Sequence, residues 1–180
     1  MTDYIADLAA HTLTTAIATF RSQKKLGDRA IAQLDDAAIG WSPNPESNSI
    51  GIIVKHLSGN MISRWTDFLT SDGEKPNRNR DDEFEGGYES LSLMNEAWER
   101  GWAALFGALE AMHPDDLLST VYIRGEAHTA LEAIYRQISH YGCHVGQIVY
   151  ASKAYKSAGW GTLSIAKGKS QQFNEDMQRK

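Results

Sequence analysis

The stretch from Arg136 to Lys153, "RQISHYGCHVGQIVYASK", decides how this chain is read. Apolar residues recur in it at helical spacing, and His140 and His144 stand four residues apart with the single cysteine, Cys143, between them. Four residues make about one helical turn, so the two imidazoles share a face with their Cβ atoms roughly 5–6 Å apart. On the same wheel Ala133, Gln137, His140, His144, Gln147 and Ala151 form one stripe, and the small residues at its ends leave room for something. Such a pair either shares a metal ion or is simply solvated or hydrogen-bonded. A third ligand elsewhere in the chain separates the two readings.

Working outward, three more segments repeat apolar residues at helical spacing. The first runs from about Tyr4 to Leu34, with Gly27 as a point where it can bend. The second follows the helix-breaking "WSPNPESNS", with Ser47 or Asn48 as its expected cap, and continues through Ile50, Leu57, Met61 and Phe68. The third runs from Leu91 through Trp98 and Trp102 to Leu109 and stops before Pro114. Between it and the opening stretch, "STVYIRGEAHT" alternates around Arg124 and Gly125 as a small hairpin does. Thr129 and Glu132 then fit a capping box that starts the fourth helix, which ends near Tyr155. The tail after it has little period and is expected to pack as an arm.

The pattern predicts an all-α fold, a four-helix bundle with a small β-hairpin before the fourth helix, filling residues 1–180 as one domain. One connection, from about Ser71 to Tyr88, is long, polar and charged. Loops of that length inside compact domains cross over or carry function, and a crossover lets the second and third helices run parallel. Trp41, Trp65, Trp98 and Trp102 are read as packing residues.

Composition narrows the function classes. The chain of 180 residues is 42% hydrophobic and 23% charged, as soluble domains are, and no run approaches a membrane span of roughly 18 apolar residues. Its formal charge is −5, with no dense basic block beyond "KPNRNR", which argues against a nucleic-acid partner. A lone cysteine excludes an internal disulfide framework, and the start carries acids at Asp3 and Asp7 rather than a basic signal peptide. The expected compartment is the cytoplasm.

The third ligand is sought on the second helix, where "IIVKHLSGNMISRW" places His56 at the polar edge of an apolar stripe. Bundles build metal sites by projecting ligands inward from facing helices. His56 with His140 and His144 would make a three-nitrogen face that leaves positions open for water or substrate.

The "SIGIIVKHLSGNMISRW" around His56, the "HYGCHVGQI" of the fourth helix and the "VYIRGEAHT" hairpin together resemble the DinB-like (YfiT-like) superfamily, closest to a branch of unknown function. The resemblance spans nearly the whole chain. It implies up-down-down-up order, a divalent metal on His56, His140 and His144 (zinc or nickel being favoured), and a homodimer. It also implies a transferase using a low-molecular-weight thiol such as mycothiol, bacillithiol or glutathione, with a small-molecule substrate. A metal-dependent hydrolase and a non-catalytic, metal-stabilised binding or stress-response module stay open as alternatives. No thiol-specific motif is present, and the sequence assigns neither a catalytic residue nor a general base.

Asn60 and Arg64 occupy successive turns below His56 and are candidates for orienting an anionic substrate or cofactor, against the plain reading of a solvated helix surface. Tyr141 and Gln147 are weaker candidates. Cys143 lies about 60° and about 100° around the helix from the two histidines, beside the stripe, and is read as a small core residue. His11, His113 and His128 are read as surface or capping residues.

Overall fold

The computed structural model describes residues 2–179. It is mostly helical: α1 (Thr2–Ile31), α2 (Asp36–Ile39), α3 (Ile50–Trp65), α4 (Leu91–Ala111), α5 (Ala130–Lys156) and α6 (Ser170–Gln178). A two-stranded antiparallel sheet, β1 (Thr120–Ile123) with β2 (Glu126–Thr129), precedes α5. The four long helices coincide with the four periodic segments. None of the described helices is long and apolar enough to cross a membrane.

Local chemistry accounts for the helix starts. Thr129 Oγ1 accepts from the Glu132 amide at 3.1 Å while the Glu132 carboxylate accepts from the Thr129 amide at 2.7 Å, the expected capping box. On α3 the cap is Ser49, one residue beyond Asn48, because its hydroxyl reaches the Ile52 amide at 3.3 Å. Gly27 does not break α1, which continues to Ile31. Its role is close approach: a Cβ there would sit 2.6 Å from Trp98 Cζ2.

All four long helices contribute to one hydrophobic core that includes Phe20, Leu57, Trp65, Trp98, Trp102, Leu105, Tyr141 and Ile148. Trp41 is only partly buried and packs edge-on against Tyr155. Gly101 lets α4 approach α3, since a Cβ there would stand 3.0 Å from the Ser58 Cα.

The long connection between α3 and α4 runs back along α3. Ser63 Oγ donates to the Gly73 carbonyl at 3.0 Å, and Lys55 Nζ donates to the carbonyls of Asp82 and Glu85 at 2.6 and 3.1 Å. The same connection grips the hairpin. Its turn residues Arg124 and Gly125 both have positive φ, +56° and +77°, as a tight hairpin requires. The Asp72 carboxylate accepts from their amides at 2.9 and 2.7 Å.

The tail is more structured than its weak period suggests. Residues Gly161 and Leu163 are bound to Gln33 and Arg29 of α1, as an arm would be, but α6 beyond them is a helix with no buried residue.

Candidate metal centre

Helix α3 presents His56, and α5 presents His140 and His144 one turn apart. Their Nε2 atoms converge, His56 to His140 at 3.3 Å and His140 to His144 at 3.1 Å. One ligand atom from each of the three lies within 4.8 Å of the others. Each Nδ1 meanwhile faces an oxygen: Glu83 Oε2 at 2.9 Å from His56, Gln137 Oε1 at 3.2 Å from His140 and Gln147 Oε1 at 2.8 Å from His144.

Those oxygens decide the tautomers. A carboxylate or amide oxygen only accepts, so each ring carries its proton on Nδ1, and in its neutral form each turns a lone pair on Nε2 towards the common point. Lone pairs about 3 Å apart, as His140 Nε2 stands from each of the other two, repel unless a cation lies between them. Nitrogens bound at about 2.0–2.1 Å around a tetrahedral ion would stand about 3.3 Å from one another. The donor set therefore fits a divalent metal. Burial pushes the His140 pKa down from 6.5 to about 4, and neighbouring His144, His56, Arg64 and Arg78 act in the same direction. Burial also lowers His144. Both rings are thus held neutral at physiological pH, the form that binds a metal.

The structure adds a residue that the sequence did not single out. Glu83, 5% exposed, lies in the one-turn helix Asp82–Phe84 of the long connection, where Lys55 also pairs with Asp82 at 2.8 Å. Gly59 makes room for it, because a Cβ there would collide with the Glu83 carboxylate. Arg78 grips that carboxylate through Nε and Nη2, both at 2.7 Å, and its Nη1 reaches Glu74 at 2.9 Å. Burial by itself would raise the Glu83 pKa, but the His56 and Arg78 hydrogen bonds outweigh it and hold the carboxyl below its usual range. The Phe84 ring covers His56 at 4.8 Å. Phe84 was the available signal, an aromatic residue in an otherwise polar connection.

Asn60 and Arg64 are both buried, at 6% and 4% exposure, and line one cavity with His56 and His140. Asn60 Oδ1 accepts from the Tyr141 hydroxyl at 2.9 Å, and the hydroxyl accepts from Trp65 Nε1 at 3.0 Å. Tyr141 is thus a core residue that braces the site. Gln147 supports His144 from the exposed side of α5.

Cys143 does not fill the core. It is exposed, because its side of α5 opens on a cleft lined by Pro43, Ile53 and Tyr150 instead of meeting another helix. His11 is exposed within α1, His113 caps the short helix Pro114–Leu118, and His128 lies half-buried on β2. None of the three reaches the cluster.

The match to a family model, described as a protein of unknown function (DUF1572), covers residues 7–169. The chain belongs to this family. The DUF1572 match contains the three histidines, Glu83, Asn60 and Arg64, and ends just before α6. No curated protein and no solved structure matches the chain significantly.

Proposed function

We propose that this DUF1572 protein binds one divalent metal ion, zinc or nickel, through His56, His140 and His144, and that it acts as a metal-dependent transferase using a low-molecular-weight thiol. The observation that carries the metal reading is the convergence of three Nε2 lone pairs whose rings are all held from behind. When bound, the ion would supply Lewis acidity, able to keep a small thiol as thiolate or to lower the pKa of water. The chain's own residues do the positioning. Glu83 orients His56, Gln137 and Gln147 orient the α5 pair, and Arg78 keeps Glu83 ionised.

What favours an enzyme over a purely structural site is the incompleteness of the set. Among the described residues the group able to hold an ion comprises three side chains and no carboxylate or thiol, and a cavity adjoins it. Structural metal sites usually close all four positions with protein ligands.

The DinB-like up-down-down-up bundle, filling one domain, belongs to the same reading. Supporting it, Arg21, Lys24 and Asp28 of α1 meet Glu110, Glu99 and Trp98 of α4 in reverse order. Gln23 and Asp35 meet Ile138 and Tyr155 in the same order. The homodimer has support in Tyr4, Ile5 and Leu8, at 72%, 62% and 53% exposure on the first turns of α1.

The test is elemental analysis of the purified protein with a conjugation assay over electrophiles and thiols, for wild type, His140→Ala and Cys143→Ala. The expected result is one ion per chain in wild type and Cys143→Ala, none in His140→Ala, and turnover that follows the metal. Loss of turnover in Cys143→Ala alone would make that thiol the nucleophile and overturn the assignment. Full occupancy without turnover on thiol and ester panels would leave a metal-stabilised binding module.

A further inference from the structure

Beside the histidine cluster lies a cavity of about 220 Å³ whose wall includes His56 and His140. Among the described residues five arginines line it, Arg64, Arg78, Arg80, Arg124 and Arg136, and no carboxylate does. This is unexpected in a chain of net charge −5. Arg78 is satisfied by Glu74 and Glu83, but Arg64 is not. Arg64 is 4% exposed, and its Nε and Nη1 are buried without a hydrogen-bond partner among the described residues. A guanidinium can hardly shed its proton, so burying one unpaired is costly unless an anion arrives to meet it.

Other features aim this charge. Gly73 clears space for it, since a Cβ there would collide with Arg64 Nη1. Arg124 is held at the hairpin tip by the Asp72 clamp on its amide, Arg80 lies over the Phe84 ring at 5.1 Å, and Arg136 precedes His140 by one turn of α5. The buried guanidinium makes a floor and the exposed ones a rim. A planar fork of donors suits the oxygens of a carboxylate or phosphate.

We propose that this cavity is an oxyanion-binding subsite, in which Arg64 receives the carboxylate or phosphate group of a small molecule whose remaining part reaches the histidine cluster. The subsite deepens the metal-site reading by naming a ligand class, and it rests on that reading only for what happens at the other end of the molecule. Its size admits a small anionic group on a short chain rather than a macromolecule.

The experiment is calorimetric titration of the full chain, chelator-treated and zinc-loaded, with inorganic phosphate and with malonate at constant ionic strength, chloride serving as control. Wild type should show one saturable site for at least one probe, and the preferred probe separates a phosphate-bearing from a carboxylate-bearing ligand. Arg64→Met should weaken binding about tenfold or more, as expected for losing a charge-assisted bidentate contact. Without ligand it should melt at or above the wild-type temperature, because an unpaired buried charge has been replaced by an apolar side chain. Should Arg64→Met fail to fold, the rim variants Arg124→Gln and Arg136→Gln decide, each expected to weaken binding about two- to fivefold. Absence of saturable binding in wild type, or unchanged binding in Arg64→Met or in both rim variants, overturns the proposal. His140→Ala keeps the two readings apart: it should lose metal yet retain anion binding, so either can fail without the other.

Discussion

Replacing Glu83 by Gln tests whether the buried carboxylate tunes the metal site or merely anchors Arg78. Glu83 Oε2 accepts from His56 Nδ1 at 2.9 Å, and both side chains are 7% exposed, so water screens this bond little. Outer partners of metal-binding histidines typically contribute 10–100-fold in affinity, about 1.4–2.7 kcal/mol. The upper half of that range is expected, since hydrogen bonds to ionised groups contribute about 1.5–3 kcal/mol. Glutamine at best keeps a neutral oxygen where Oε2 accepts from both His56 and Arg78 Nη2, so both bonds lose their ionic partner, and it turns an N–H towards Arg78 Nε. Folding stability should fall as well, by about 2–4 kcal/mol, somewhat below the usual loss for a broken buried pair because Glu74 still holds Arg78. Glu74→Gln provides the control. It loosens Arg78 through the 2.9 Å contact without touching His56, so it should cost stability but leave zinc affinity unchanged within about twofold. Competition with a chromophoric chelator reads the affinity and thermal unfolding reads the stability. Wild-type zinc affinity in Glu83→Gln, or an equal loss in Glu74→Gln, would refute the reasoning.

Three further outcomes follow from the packing and the charges. Tyr141→Phe strands the Trp65 indole N–H and the Asn60 oxygen, so it should cost about 1–3 kcal/mol and a melting-temperature drop of several degrees, with metal stoichiometry intact. Gly27→Ala gains about 0.5–1 kcal/mol of helix propensity but puts a Cβ 2.6 Å from Trp98, an overpacking cost of about 1–3 kcal/mol, so denaturant titration should show net destabilisation. In the metal-free protein, the depressed pKa of His140 means that the unfolded chain takes up its proton first as pH falls. Stability should therefore decline from 6.5 towards about 4 and be fully present only above that window. An identical slope in a His140→Ala, His144→Ala double variant, measured by denaturant midpoints against pH, would sink that account.

What the chain declared locally, the structure kept. Apolar spacing marked α1, α3, α4 and α5, Thr129 and Glu132 marked the start of α5, and the Arg124–Gly125 pair marked the hairpin turn. Each signal acts over a few residues, within one turn of a helix or one turn of chain. The two α5 histidines were legible for the same reason, and His56 because a second helix with a polar edge was the natural place to look. Cys143 was misjudged because its burial depends on whether another helix covers that side of α5, which no spacing within α5 records.

Glu83 and Arg64 show where local signals end. "DDEFE" lies in a polar, charged connection, and although Phe84 marks the spot, nothing within the run separates Glu83 from the other acids. Its burial is created on α3, where Gly59 leaves a gap and His56, 27 residues away, supplies a donor, while Arg78 of the same connection supplies two more. Arg64 was a candidate by its place below His56, but its burial could not be read from the helix, since the returning connection lays Gly73 over it. The connection thus does more than join α3 to α4. Through Asp72 it sets the hairpin that carries Arg124, through Gly73 it covers Arg64, and through Glu83 it locks the tautomer of His56. The metal-binding cluster and the cationic cavity share this one segment, so its disturbance should couple them. Shortening the Lys55 anchor, as in Lys55→Ala, frees the segment near Asp82 and Glu85 without touching either site directly. Zinc and phosphate affinities should then fall together, and a fall in only one of them would show that the two sites are built independently.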